Sequence, residues 1–278
     1  FNYTDVKYLL HYLKGYLRDY IMVHSKKGSV PYITLPMLQN FKIPLPPLPV
    51  QQEIVRILDV FTELTAELTA ELTARKKQYE YYRDELLTFG DDVEYKKIKD
   101  IYIRIKGTPI TARKMKVIES LDGDIRIFAG GKTVINAFEE DIPNANITRV
   151  PAVLVQSRGV IDAIFYEKPF TFKNEMWAYT TENRTSVKYL YYVLKNNIQK
   201  FRDAASGMGS MPQISLKVTE EFVIPFPPQS EQQRIVDILD RFDALCNDIS
   251  IGLPAEIEAR QKQYEYYRDK LLAFKEIS

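Results

Sequence analysis

The 278 residues, 45% hydrophobic and 27% charged, are enough for roughly two domains and unlike the composition of a disordered or fibrous chain. No run approaches the roughly 18 apolar residues of a membrane span, and Phe1 opens no basic-then-apolar leader, so a soluble, cytoplasmic protein is expected. The single Cys246 excludes an internal disulfide and reads as a small core residue, and with only His11 and His24 beside it no Cys/His metal cluster can be built.

The net charge of +1 hides an uneven distribution, because residues 93–221 hold 20 Lys plus Arg against 15 Asp plus Glu. Such an excess permits phosphate binding without demonstrating it.

In chain order, Val6, Leu9, Leu10, Leu13, Leu17 and Tyr20 recur at amphipathic-helix spacing and predict a helix over residues 1–20. Gly28-Ser29-Val30-Pro31 breaks it, Ile33 to Leu35 reads as a short strand, and Phe41 to Pro49 is too rich in proline for helix or central strand. An extended, polyproline-like strap is expected there. A long helix over 50–89 follows, with Pro49 suited to its first turn. Its heptad seam runs through Ile54, Leu58, Phe61, Thr65, Leu68, Leu72, Arg75, Tyr79, Tyr82, Leu86 and Phe89, a coiled-coil pattern. Within it Thr65-Ala-Glu-Leu68 and Thr69-Ala-Glu-Leu72 repeat every four residues. Each unit lengthens a helix by about 6 Å while turning the leucine face only about 40°.

The same features recur 181 residues later: Val6-Lys-Tyr-Leu9 matches Val187-Lys-Tyr-Leu190, Phe41-Lys-Ile-Pro44 matches Phe222-Val-Ile-Pro225, and Gln51-Gln52 matches Gln232-Gln233. Gln78 to Phe89 and Gln263 to Phe274 agree at ten of twelve positions. So long a period means a duplicated domain with its connector. Only the second copy reads as complete, so the sequence is expected to be a fragment, a processed chain or a truncated gene product. In that copy Ser230 and Gln233 have capping-box spacing, and Gly252-Leu-Pro254 should interrupt the rod.

Residues 93–221 differ in texture. Arg126–Phe128, Ala152–Val155, Val160–Tyr166, Phe170–Phe172 and Met176–Thr180 are β-prone runs separated by turns, and residues 187–204 read as helix, giving one α+β globular domain.

Catalytic motifs are missing. Ala129-Gly-Gly-Lys-Thr133 has Arg126 where a phosphate loop needs its first glycine, and Gly207-Met-Gly209 lacks the third glycine of a dinucleotide fingerprint. No Asn-Pro-Pro-aromatic tetrad of an amino-methyltransferase occurs, and Glu94-Tyr-Lys96 has no partner for a nuclease carboxylate cluster. What remains is recognition. Lys106, Thr108, Lys132, Thr133, Asn136, Gln156, Ser157, Arg158, Lys173, Asn174, Ser210 and Gln213 fall at predicted turns, and they are residue types that read base edges or hold phosphates. The glycines beside them read as turn formers.

A Gly107-Thr-Pro109 element, a proline strap such as Ile224-Pro-Phe-Pro-Pro228, and Gln232-Gln-Arg-Ile-Val236 opening a long helix, all within a duplication carrying a Thr-Ala-Glu-Leu repeat, resemble the specificity subunit of type I restriction-modification enzymes. The resemblance implies an α+β fold in which globular target-recognition domains are joined by long conserved α-helices packed as an antiparallel coiled coil, with a pseudo-twofold internal repeat. Residues 1–48 would be the remnant of a first recognition domain, 49–92 the central helical spacer, 93–228 the complete second recognition domain, and 229–278 the C-terminal helical region. It further implies a non-catalytic chain that recognises part of a bipartite double-stranded DNA target. Modification subunits would bring S-adenosylmethionine for DNA methylation and restriction subunits would bring ATP, leaving no cofactor in this chain. Leu58, Phe61, Leu68, Leu72, Tyr79, Tyr82, Leu86, Phe89, Leu239, Phe242, Tyr264, Tyr267, Leu271 and Phe274 are the residues expected to serve subunit docking and helix packing. Two other readings fit the residues: a coiled-coil scaffold that binds protein without DNA specificity, and a half-subunit whose self-association reads a symmetric site.

Overall fold

The computed structural model describes residues 3–25, 30, 32–131, 133–206, 211–248 and 250–274. In chain order its elements are α1 (Val6–His24), α2 (Leu35–Gln39), α3 (Leu48–Leu86), β1 (Tyr95–Lys97), α4 (Ile98–Ile101), β2 (Ile103–Lys106), α5 (Ala112–Ile118), β3 (Ile125–Phe128) and β4 (Val134–Ala137). They continue with β5 (Ala152–Gln156), β6 (Asp162–Tyr166), β7 (Phe170–Phe172), β8 (Trp177–Thr180), α6 (Arg184–Asn196), α7 (Ile198–Asp203), α8 (Leu216–Glu220), β9 (Val223–Pro225), α9 (Gln229–Asn247) and α10 (Leu253–Leu271). Two compact units result, one of residues 1–77 with 243–278 and one of residues 78–242.

Local chemistry sets the helix ends. The carboxylate of Asp5 accepts from the free amides of Lys7 and Tyr8 at 2.8 and 3.2 Å, so α1 starts at Val6. Ile33 to Leu35 forms no strand; Thr34 instead caps α2, with Pro36 in its first turn. The strap over 41–47 is without regular structure, but its counterpart supplies β9, which pairs antiparallel with β1. The capping box at Ser230 does not form. Helix α9 opens one residue earlier, at Gln229, and the Gln233 amide is bonded to Thr185 and Asp237 at 2.6 and 2.7 Å. The predicted break is present, with Gly252 as N-cap and Pro254 in the first turn of α10.

The α3 repeat satisfies its own hydroxyls. Thr62, Thr65, Thr69 and Thr73 each donate to the carbonyl four residues back, at 2.7 to 2.9 Å. A threonine bonded in this way leaves no polar hydrogen wanting a partner, so the Thr-Ala face can lie beside apolar groups. Phe61, Thr65, Leu68, Leu72, Arg75 and Tyr79 are the half-buried positions of the stripe, as the seam predicts, whereas Tyr82 is 38% exposed. Within the first unit α10 runs antiparallel to α3. Leu58 shares a buried cluster with Leu272, Phe61 stacks on Tyr267 with centroids 5.2 Å apart, and residues 65–73 lie beside Gln261 and Tyr264.

The first unit is tied by one carboxylate. Asp59 on α3 accepts from Lys7 at 2.5 Å and His11 at 3.0 Å, both on α1, and the other ring nitrogen of His11 meets the Tyr264 hydroxyl of α10 at 2.9 Å. Gln51 donates to the Pro46 carbonyl at 2.8 Å, and Tyr8 to that of Pro44 at 2.9 Å. The second unit repeats this scheme with the residues 181 positions on. Asp240 takes Lys188 at 3.3 Å and the hydroxyl of Tyr192, which stands where His11 does. Gln232 donates to Pro227 at 2.9 Å and Tyr189 to Pro225 at 3.1 Å. Phe242 stacks on Tyr82 at 5.7 Å as Phe61 does on Tyr267, and Arg83 lies over Tyr79 as Arg268 lies over Tyr264.

The rest of the second unit is layered. Strands β2-β8-β5-β6 form an antiparallel sheet, and β4-β3-β7 form a second sheet in which β3 and β7 run parallel. The pleat sends alternate residues of β5 to opposite faces. Val153 and Val155 pack with Val187, Leu190 and Leu194 of α6, whereas Ala152 and Leu154 pack with Phe128, Phe170 and Phe172 of the second sheet. The other face of that sheet, Ile125 and Ile127 of β3 with Ile135 of β4, is covered by Met115 and Ile118 of α5. The order helix, sheet, sheet, helix buries every residue of β5, so its continuous apolar run is readable as a core strand. Four strands escape sequence reading: β1, β2, β4 and β9 are three or four residues long, and β1 and β2 are rich in Lys and Arg. The expected 187–204 helix is in fact two, divided at Asn197.

Burial of phenols couples the fold to alkaline pH. Desolvation pushes the Tyr8 hydroxyl up to about 12 from its ordinary 10.0, and pushes Tyr102, Tyr179 and Tyr189 further still. The unfolded chain therefore ionises first, and the stabilisation that is full below the ordinary tyrosine value is lost as pH rises through the folded values. Denaturant midpoints should fall steeply above about pH 10, and a flat profile up to about pH 12 would contradict this burial. Asp59→Asn and Asp240→Asn should each cost about 1–2 kcal/mol. Hydrogen exchange should quicken in α1 for the first and in α6 for the second.

Candidate nucleic-acid interface

One end of the four-stranded sheet gathers the polar turns. Register places Lys106 of β2 beside Trp177 of β8, Val155 of β5 beside Trp177, and Gln156 beside Asp162 of β6. The chain therefore leaves or enters these strands at a common edge. Backbone bonds join further turns to it: Ile214 donates to Ser157 at 3.0 Å, Gly159 to Pro212 at 2.9 Å, and Thr108 to Phe172 at 2.7 Å. The β3–β4 turn is held by the Gln156 amide, which donates to the Gly131 carbonyl at 2.9 Å. Gly131 and Gly159 have φ of +73° and +76°, the left-handed region in which glycine carries no steric penalty. Gly107 is required for another reason. A Cβ there would collide with the Phe172 carbonyl, so the Gly-Thr-Pro element can lie against β7 only without a side chain.

Two concavities open among these turns. One, of about 630 Å³, is lined by Arg104, Lys106, Asn146, Asn174, Glu175, Trp177 and Gln213. The other, of about 640 Å³, is lined by Lys116, Thr133, Gly131, Arg158, Lys173, Glu175 and Met211. Six residues singled out from sequence thus converge: Lys106, Thr133, Arg158, Lys173, Asn174 and Gln213. Lys106, Thr133, Arg158, Asn174 and Gln213 are exposed. Lys173 is ion-paired with Glu175 at 2.8 Å.

Three others support the fold from inside. Thr108 is fully buried, hydrogen-bonded to Thr171 at 2.7 Å and accepting from the Asn146 amide at 2.9 Å. Ser157 is fully buried and donates to the Glu175 carbonyl, and Gln156, 6% exposed, clamps the β3–β4 turn. Each is buried and hydrogen-bonded within the protein, so they shape the turns. Asn136 lies on β4 opposite Arg126 and lines neither concavity. Lys132 and Ser210 lie outside the described residues.

Sequence reading passed over Arg104, Lys116, Asn146, Glu175 and Met211. Lys116 sits on α5, where a lysine on a helix reads as ordinary solvated surface, and Glu175 is an acid among cations. Of the expected packing residues, Leu58 and Leu239 are fully buried, Phe61, Leu68, Leu72, Tyr79, Leu86, Phe89, Phe242, Tyr264 and Leu271 are half-buried, and Tyr82, Tyr267 and Phe274 are 38%, 40% and 41% exposed. Among the described residues no group of three His, Cys, Asp or Glu side chains could hold a metal ion, and no helix is long and apolar enough to cross a membrane.

The family model for the type I restriction modification DNA specificity domain matches residues 2–75 and 90–259. The chain belongs to this family. It is 38% identical over 299 aligned residues to the specificity subunit of a type I restriction enzyme from Escherichia coli, covering 98% of this chain and 72% of that one. A solved type I restriction-modification S subunit from M. genitalium has the same fold, with a TM-score of 0.64 at 18% identity over 99% of this chain and 74% of its own. A structure from work on complex assembly and conformational transition of the type I system matches with a TM-score of 0.65 at 15% identity, over 98% of this chain and 72% of that chain. The family places the α+β fold and long helices among DNA specificity subunits, and the two concavities lie within the second matched segment.

Proposed function

We propose that this chain supplies DNA sequence specificity to a type I restriction-modification complex. In this reading residues 93–228 recognise one half of a bipartite duplex target through the turns around the two concavities. The observation that carries it is their convergence. Lys106, Arg158, Lys173 with Asn174, and Gln213 come from four separate stretches of sequence to one end of the four-stranded sheet. Arg, Lys, Asn and Gln are the side chains that pair with base edges, and cations beside them suit the phosphates on either side. Family membership supports the same assignment.

The chain acts without chemistry of its own: modification subunits supply S-adenosylmethionine and methyl transfer, restriction subunits supply ATP-dependent steps, and the complex works in the cytoplasm. Modification and restriction subunits dock along the helical regions, where Tyr82, Tyr267 and Phe274 leave aromatic surface exposed. The Thr-Ala-Glu-Leu repeat sets spacing, since each added unit extends α3 by about one turn.

The complex with its modification partner is expected to bind a defined duplex, with log affinity falling linearly in log salt as phosphate contacts release counterions. Arg158→Ala should lower preference at one target position by about 1–3 kcal/mol while leaving subunit assembly intact. Competition binding against duplexes varied one position at a time reads both quantities. Sequence-independent binding by the wild-type complex would contradict the proposal.

A further inference from the structure

Glu175 is the feature that a phosphate-binding surface does not explain. It sits in the turn between β7 and β8, lines both concavities, and shares them with Arg104, Lys106, Lys116, Arg158 and Lys173. Glu119 at the end of α5 is the other carboxylate on the lining, and it reaches only the second concavity. A carboxylate beside phosphates is repelled, so Glu175 weakens sequence-independent attraction wherever it meets the backbone of a duplex. At a base edge the sign reverses, because a carboxylate accepts from an exposed amino group.

The turn is built to hold this side chain in place. Met176 donates to the Lys173 carbonyl at 2.9 Å, Lys173 donates to the Phe128 carbonyl at 3.0 Å, and the buried Ser157 hydroxyl donates to the carbonyl of Glu175 itself. The two side chains are 23% and 25% exposed and meet at 2.8 Å, so each is already restricted while retaining a face toward solvent. An ordered pair of this kind forfeits less side-chain entropy on binding than two free chains would.

We infer that Glu175 and Lys173 act together as a reader of one C·G base pair from the major groove, a reading that rests on the proposed DNA recognition. Glu175 accepts from the cytosine N4 amino group, and Lys173 donates to guanine O6 and N7. In that groove the cytosine donor lies beside the guanine acceptors, the complement of an acceptor and a donor held side by side. The mutual ion pair is exchanged for two contacts with the base pair. At an A·T pair the adenine amino group stands between the two acceptors, so Lys173 meets only one of them, and at the backbone Glu175 faces a charge of its own sign.

The test uses the full chain assembled with its modification partner, wild type and the near-isosteric Glu175→Gln, with Lys173→Ala as a second variant. Binding is measured by competition over duplexes randomised one position at a time, and assembly with the modification partner is checked for each variant. Glu175→Gln is expected to reduce discrimination at a single C·G position about tenfold or more while binding non-cognate duplexes at least as tightly as wild type. Lys173→Ala should lose preference at that same position. Equal shifts for every duplex, or lost preference at an A·T pair or at two different positions, would overturn the assignment and leave the DNA reading standing. A wild-type complex that selects no duplex would sink both.

Discussion

A half-buried carboxylate that gathers side chains from neighbouring elements is the interaction on which each unit depends. Asp59 draws Lys7 and His11 of α1 onto α3, and His11 passes the connection to Tyr264 of α10. Asp240 draws Lys188 and Tyr192 of α6 onto α9. The apolar surfaces beneath, Leu58 with Leu272 and Leu239 with Leu87, provide most of the attraction, but apolar contact does not fix register. A charge with two or three directed partners does, because any slip breaks those bonds together. That Tyr192 can occupy the place of His11 shows what the site demands: a flat side chain with a donor at its tip.

The same arrangement clarifies the two near-identical Gln-Tyr-Glu-Tyr-Tyr-Arg-Asp segments. Each packs against the opening of a repeat that lies elsewhere in sequence: residues 264–272 with the α1 and α3 start, and residues 79–87 with α6 and α9. Tyr264 and Tyr79, Arg268 and Arg83, and Tyr267 and Tyr82 keep their places because both copies present the same partners. The recognition region is under the opposite constraint. Its central strands β5, β7 and β8 are buried almost throughout, so in the proposed reading recognition falls to the turns, and turns can differ without disturbing the layers beneath.

Much of this was legible from residues alone. The 181-residue period, the coiled-coil seam and the core strands β3, β5, β7 and β8 follow from spacing, because long periodic or continuous apolar patterns have few alternative solutions. Ile33–Leu35 was not, since a threonine followed by proline two positions on can open a helix as readily as a strand ends. Nor were β1 and β2, where the pairing partner, and not the side chains, makes the strand. In the candidate interface, residue type could not separate Lys106, Arg158 and Lys173, which line the concavities, from Thr108, Gln156 and Ser157, which are equally polar but buried and bonded within the protein. Glu175 was missed because it becomes notable only when the fold surrounds it with cations.

The division of labour between turns and helices is tested most directly by hydrogen exchange on the assembled complex, with and without its cognate duplex. The account predicts that DNA slows exchange in residues 104–111, 156–159, 173–176 and 211–216 and leaves residues 65–77 of the α3 repeat unchanged. Protection along that repeat, with none at the turns, would contradict it.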